Sequence, residues 1–392
     1  MNFKTIILKT ETSILKFLES NFWIEKVVLL CILLAIIGAF PRYDYIYAYQ
    51  NLHRELHGAW YILQCRSEHL MDTHVLTQGD SHIGKLTFRL VLPILLGFFH
   101  KNIWGIVVVQ AVLGTFSLWL LAKLIYKITD DKLSTFYFTL ATTHIYFGIA
   151  AFWELGGFGD SIAYAMIIIA MFYRNPFIIF SAISIASWTD ERGFIAGGYI
   201  LLWWIWRNTF EKQKAIREAY TEILSTQTLS IVSCWCCYIA IRLWLTQTFH
   251  LTLDTRQIGA FMLSPSESSS IGLGLWASLE GFWLFIGITT ITLIANWKQT
   301  KLSLFIYIGI LIFLILTSCM VSDINRSISY GFSIVLCSLI LLKNFLSKRE
   351  LHYILAGIAT ICVAHPLLMT FGSNKVTWAY PLPFQVLIFL CR

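Results

Sequence analysis

The chain is predicted to be an all-α, polytopic integral membrane bundle of about 10–12 transmembrane helices. Three observations carry this expectation. Of its 392 residues, 57% are hydrophobic and only 13% are charged, about half the charged share of a soluble domain. Apolar stretches of roughly 18 residues or more recur, each long enough to cross a bilayer. The alternation of an outer-membrane barrel is missing, so helices are left to satisfy the backbone polar groups in lipid.

Residues 1–26 carry Lys4, Lys9, Lys16 and Lys26, partly balanced by Glu11, Glu19 and Glu25. Ile6, Ile7, Ile14, Leu15 and Leu18 suit an amphipathic surface helix. The first apolar run, Val27 to Phe40, ends at Pro41 and has no small-residue cleavage site after it, so it reads as an anchor. The spans expected next are roughly Trp104–Leu121, Leu133–Trp153, Ser161–Tyr173, an interrupted Pro176–Trp206, Thr228–Phe249, Leu279–Ala295, Ser303–Val321, Tyr330–Leu342 and Tyr353–Phe371, with a short Trp378–Leu390 at the end. Leu86–Phe99 is too short to assign firmly and is treated as non-spanning. No repeat, low-complexity tract or interdomain linker divides the chain, so residues 1–392 read as one membrane domain.

The polar stretch Phe40–Pro93 stands apart: it holds five of the 22 acidic residues and five of the ten histidines. Residues 42–101 are expected to form a helical extracytoplasmic loop. Lys and Arg in short loops set the orientation. With the N-terminus in the cytoplasm, Lys123, Lys127, Lys132, Arg174, Arg207, Lys212, Lys214, Arg217, Lys298, Lys301, Lys343, Lys348 and Arg349 fall inside. Asp44, Asp80, Glu154, Asp160, Asp190, Asp323 and Arg326 then lie at or near the outer face. The net charge of +7 fits basic inner loops, and nothing points to nucleic acid. Nine cysteines are present, but of these only Cys65 lies in a long polar loop, so no disulfide framework is expected; Cys234, Cys236 and Cys237 read as small buried hydrophobes.

Four constellations suit chemistry. Asp44, with Tyr47, Ala48 and Gly58, precedes Asp80, Ser81, His82, Lys85, Arg89 and Pro93; a carboxylate just outside a membrane helix can act as general base toward a hydroxyl. The bland alternative is a solvated loop. Glu154-Leu-Gly-Gly-Phe-Gly-Asp160 permits a tight turn, with helix capping by Asp160 as its structural alternative. Trp188-Thr-Asp-Glu-Arg-Gly193 puts charge into an apolar stretch, where it must be paired or line a wet cavity; Asp190–Arg192 or Glu191–Arg192 pairing is the structural alternative. Ser322-Asp-Ile-Asn-Arg-Ser-Ile-Ser-Tyr330 places Asp323 and Arg326 three apart, on one face of a helix, and Arg suits phosphate. A loop ion pair is the alternative there. His53-Arg-Glu-Leu-His57 lacks the glutamate directly after its first histidine that a zinc protease needs. Acidic loop residues leave room for Mg or Mn, which prefer oxygen ligands. Arg242 is expected inside a span, facing a cavity or a partner.

Asp44-Tyr-Ile-Tyr-Ala48 resembles the acidic D-E-x-x-Y-x-x-A opening of the GT-C membrane glycosyltransferases, with Tyr45 in place of the second acid. Arg89-Leu-Val-Leu-Pro93 looks like that family's lead into the next helix, and Asp160 like its second acidic position. Thr189-Asp-Glu-Arg-Gly193 is similar to its mid-bundle T-R-E element with the charges reordered, and Asp323–Arg326 to its late D-x-x-R. The resemblance implies transfer of a sugar, with inversion, from a polyprenyl-phosphate donor to a glycan, lipid or protein acceptor at the outer face of a bacterial inner membrane, in cell-envelope glycan biosynthesis. It makes Asp44 the base, with Asp80 in reserve. Arg326, with Arg89 or Arg192, neutralises the lipid phosphate, and Asp160 and Asp80 hold metal or sugar hydroxyls. Glu191 and Asp323 complete the implied substrate-binding set. An O-antigen-type polymerase or ligase shares many of these features, although its arginine-bearing loop usually comes later; here the later loop, His250–Ser278, holds only Arg256. A transporter with Glu191 and Arg242 on its pathway is the non-enzymatic alternative, against which the missing repeat counts.

Overall fold

A computed structural model describes residues 3–43, 46–47, 50, 59–71, 86–212, 214, 216–251, 268–321, 323–371 and 375–390. Asp44, Asp80, the His53–His57 motif and Arg256 lie outside the described residues.

The helices are α1 (Phe3–Phe17), α2 (Trp23–Gly38), α3 (Ala59–Glu68), α4 (Val91–Phe98), α5 (Ile103–Thr129), α6 (Lys132–His144), α7 (Tyr146–Trp153), α8 (Asp160–Phe172) and α9 (Pro176–Thr189). They continue as α10 (Arg192–Glu211), α11 (Thr226–Phe249), α12 (Ser268–Leu279), α13 (Phe282–Ala295), α14 (Trp297–Cys319), α15 (Ile324–Ser329), α16 (Ser333–Lys343), α17 (Lys348–Ala364) and α18 (Leu382–Leu390). Their ends follow local chemistry. Asp131 accepts the Ser134 amide at the start of α6, Asn175 accepts the Phe177 amide before Pro176 opens α9, and Ser347 and Glu350 form a reciprocal capping box on α17.

Among the described residues, three helices, α5, α11 and α14, are long and apolar enough to cross a bilayer, and a bent pair, α12 with α13, raises this to four. Shorter apolar helices such as α8, α9 and α16 accompany them. This is the architecture of a helical membrane protein. In the loop 42–101, α3 is helical, and α4 at about 12 Å is too short to span.

Several expected spans are divided. Leu133–Trp153 breaks at Ile145, where the Thr143 hydroxyl and the His144 ring both bond the Leu140 carbonyl and compete with the helix ladder. Pro176–Trp206 is interrupted between Thr189 and Arg192, as its charges suggest. Tyr353–Phe371 is helical only to Ala364. Pro366 follows, and Leu368–Phe371 (β1) pairs antiparallel with Lys375–Trp378 (β2), Leu368 opposite Trp378. The span expected from Trp378 to Leu390 thus begins in a strand and leaves nine helical residues. Cys234 is buried, but Cys236 and Cys237 are exposed on the apolar outside of α11, contrary to expectation. Arg242 is half-buried and rests on the Phe88 ring at 4.1 Å instead of lying sealed in the bundle.

Interlocked aromatics form the core beneath the polar residues. Phe147 stacks on Phe332 at 4.1 Å, Phe138 and Phe282 pack edge-on around it, and Tyr164 meets Tyr330. Trp203 and Trp204 of α10 donate to the Met171 and Ala170 carbonyls, which fixes α8 against α10. Both helices therefore begin at one end of the bundle and finish at the other. At their far end Arg207 bonds the Met171 carbonyl, Arg174 meets Glu211, Lys343 bonds the Ile128 carbonyl, and Lys348 pairs with Asp130. Cations there complement the carbonyl ends of helices. A second apolar cluster joins Ile46 and Trp60 to Leu92, Ile106, Leu155 and Ile162, and so packs the first loop onto the opposite end.

Candidate functional site: an arginine–carboxylate cluster

The site lies where α8, α10 and α15 begin. A charge at a bundle end must find partners locally or stay wet, and here seven charged side chains find one another. The Arg326 guanidinium forks onto Asp160, Nε to Oδ2 at 2.5 Å and Nη2 to Oδ1 at 3.0 Å, and its Nη1 reaches Asp323 at 2.5 Å. Arg192 forks onto Asp190 at 2.8 and 2.7 Å and donates to the Ser327 hydroxyl at 3.0 Å. Arg89 donates to Glu191 through Nε and Nη2 and pairs with Asp190 at 2.7 Å. Asp190 Oδ2 also lies 3.6 Å from Arg326, so one carboxylate is shared by three arginines.

The expected Asp190–Arg192 pairing is present, but Asp190, which the sequence does not single out as a site residue, is also the hinge of the cluster. Glu191–Arg192 pairing is replaced by Asp190–Arg192 and Arg89–Glu191, because Asp190 turns inward at the end of α9 while Glu191 faces Arg89. Helix capping by Asp160 does not occur. It is the first residue of α8, and its oxygens accept Arg326 and the hydroxyls of Tyr146 and Tyr330 at 2.9 and 3.1 Å.

Supporting residues shape the site. Glu154 folds the loop before Asp160 by accepting the amides of Gly156, Phe158 and Gly159, and it is held in turn by Gln110. Gly157 and Gly159 sit at φ +79° and +76°, the left-handed region that other residues resist. A Cβ on Gly159 would stand 2.8 Å from Leu92. The turn puts the Phe158 ring 4.0 Å from the Arg326 guanidinium. Trp60 of α3 ties the first loop to this turn through the Leu155 carbonyl at 2.7 Å. Arg66, also in the first loop, is buried and bonds the carbonyls of Leu86, Thr87 and Arg89, which holds the backbone that presents Arg89. Burial lowers the Arg66 guanidinium to about 10. Nothing in the local sequence distinguishes Arg66 or Tyr146, and Tyr330 closes the Ser322–Tyr330 motif without showing its partner, because the partners are distant in the chain.

The cluster is graded in exposure. Asp160 and Asp190 are sealed, whereas the side chains of Asp323 and Glu191 are 22% and 34% exposed and form the open rim. Burial pushes the Asp323 carboxyl up, but Arg326 and Arg192 beside it outweigh that and hold it well below the usual carboxylate range. Three arginines face four carboxylates, and the guanidinium donors already occupy the sealed ones. This donor set does not fit a divalent cation, and among the described residues no group of three or more His, Cys, Asp or Glu is arranged to hold one.

The structure thus gathers Arg89, Asp160, Glu191, Arg192, Asp323 and Arg326 from four separate segments. Asp44 and Asp80 lie outside the described residues. Tyr43 packs beside Trp104, and Ile46 is buried among Leu92, Leu155 and Ile162. No protein-family model matches the chain, and no curated protein or solved structure is similar to it.

Proposed function

We propose that the chain is a membrane glycosyltransferase that moves a sugar from a polyprenyl-phosphate donor to an acceptor hydroxyl at the extracytoplasmic face. In this reading the shorter apolar helices complete a bundle of about 10–12 spans, with the N-terminus and the basic end in the cytoplasm. The observation that carries the reading is the trio Arg89, Arg192 and Arg326, assembled within one cluster where helices begin. Forked guanidinium groups are the side chains best shaped for a phosphate. The exposed carboxylates Asp323 and Glu191 hold the arginines in place, and the donor phosphate displaces them on binding. Asp44 takes the proton of the acceptor hydroxyl as its oxygen attacks the anomeric carbon. The bond from that carbon to the phosphate oxygen breaks, and the electron pair leaves with the lipid phosphate, whose charge the arginines stabilise. No step is assigned to a metal.

The charges gather at an end of α8 and α10, which favours a surface site over a midplane transport pathway. Binding of a polyprenyl monophosphate and of the uncharged polyprenol of equal length, each to the purified chain in nanodiscs, tests the reading through tryptophan fluorescence. The phosphate is expected to bind about tenfold tighter or more, with Arg192→Gln removing most of that advantage. Equal affinity for the alcohol in the folded wild type would rule the reading out.

A further inference from the structure

Away from the arginine cluster, α12 meets α13 at an angle of 83°, and Glu280 sits at the elbow. It is one of few non-glycine residues with positive φ, at +47°. Such a conformation costs of order 1–3 kcal/mol and persists where the surroundings over-determine it. The Glu280 side chain is fully buried. Its Oε1 lies 3.1 Å from His365 Nδ1, and its Oε2 has no hydrogen-bond partner among the described residues. A buried carboxylate with one oxygen bare is expensive as an anion and much cheaper as an acid. His365 is 22% exposed, borders Trp276 at 6.2 Å and sits just beyond the end of α17. It therefore connects the sealed carboxyl to the surface.

We propose that Glu280 and His365 form a proton-binding site in which one proton is shared between the Glu280 carboxyl and the imidazole, entering through His365. The other titratable group facing Glu280 is Cys362, whose sulfur lies near Gly281 on the opposing helix.

Both arms of the dyad lead to α15. Along α12, Gly274 packs against Ile324 and the Thr370 hydroxyl. Beyond His365, Thr370 donates its amide and hydroxyl to Asn325 Oδ1 at 3.1 and 2.8 Å, and Asn325 donates back to the Leu368 carbonyl. Asn325 precedes Arg326, so the protonation state at the elbow biases the helix that carries the phosphate-facing arginine. The proton site itself stands whether or not the cluster binds a lipid phosphate.

Infrared difference spectroscopy of the protein in lipid across a pH titration tests this, with hydrogen exchange of residues 324–329 followed in parallel. Wild type should show a carboxylic-acid carbonyl band that titrates and that Glu280→Gln abolishes. His365→Leu removes the donor to the carboxylate and should raise the midpoint by about one pH unit, a tenfold gain in proton affinity. Exchange in α15, corrected for the intrinsic rate, should follow the same midpoint and lose its pH dependence in Glu280→Gln. A band that survives Glu280→Gln, or a midpoint unmoved in folded His365→Leu, overturns the proton site. Exchange in α15 that ignores the titration overturns the coupling.

Discussion

Arg326 and Asp160 are 166 positions apart in the chain and meet in a forked, fully enclosed ion pair. Removing one partner leaves the other charge buried and unpaired, which costs about 3–5 kcal/mol. Arg326→Gln and Asp160→Asn are each expected to destabilise the protein by about 3 kcal/mol. The double variant should cost well under the sum, because neither charge is then stranded. Chemical denaturation in mild detergent measures all three, and strict additivity would show that the pair is not coupled.

Asp323 gives the cluster a pH dependence of defined sign. Its carboxyl is held below the ordinary value in the folded chain by Arg326 and Arg192, against the effect of burial. The stabilisation is therefore complete above the unfolded-state value and is lost as pH falls through the depressed folded value. The melting temperature of wild type should exceed that of Asp323→Asn at neutral pH, and the gap should narrow as the solution is acidified below the ordinary carboxylate range. A gap that widens on acidification would contradict the assignment.

Gly159 is required for two reasons that act together, its φ of +76° and the 2.8 Å separation between an added Cβ and Leu92. Gly159→Ala should cost about 1–3 kcal/mol and loosen the turn that presents Asp160. Gly198, inside α10, has among the described residues only the Trp235 ring near its Cβ position, at 3.9 Å. Gly198→Ala should be neutral or stabilising by up to about 1 kcal/mol. Thermal melts of the two variants make the comparison; equal losses would show that the turn conformation is not the cause.

The proposed base is tested by Asp44→Asn, which keeps the shape of the side chain and removes its proton-accepting power. Transfer should fall by about 10²- to 10⁴-fold with donor binding retained. Asp80→Asn run beside it decides between the two carboxylates. Near-normal turnover in Asp44→Asn with a selective loss in Asp80→Asn would move the role to Asp80, and normal turnover in both would remove general-base catalysis from the first loop.

The sequence by itself determined the class of this protein and where its polar breaks fall. Charge in an apolar context is costly, so Asp160, the Asp190–Arg192 trio and Asp323–Arg326 stand out against their surroundings in any linear reading. Their partners are another matter. Helical spacing reports neighbours three or four residues away, and so Asp323–Arg326 is legible, at 2.5 Å across one turn. The Arg89–Glu191 pair, the sharing of Asp190 and the closure of Arg326 on Asp160 depend on how helices from distant parts of the chain pack, and no local pattern encodes that. The same reason hides Arg66, whose role is to bind carbonyls about 20 residues on. It also hides the elbow at Glu280 and the β1–β2 hairpin, where docking to Asn325 overrides an apolar run that reads as continuous helix. Packing chose among the partners that the charges offered, because a buried charge is stable only beside the particular group that tertiary structure delivers to it.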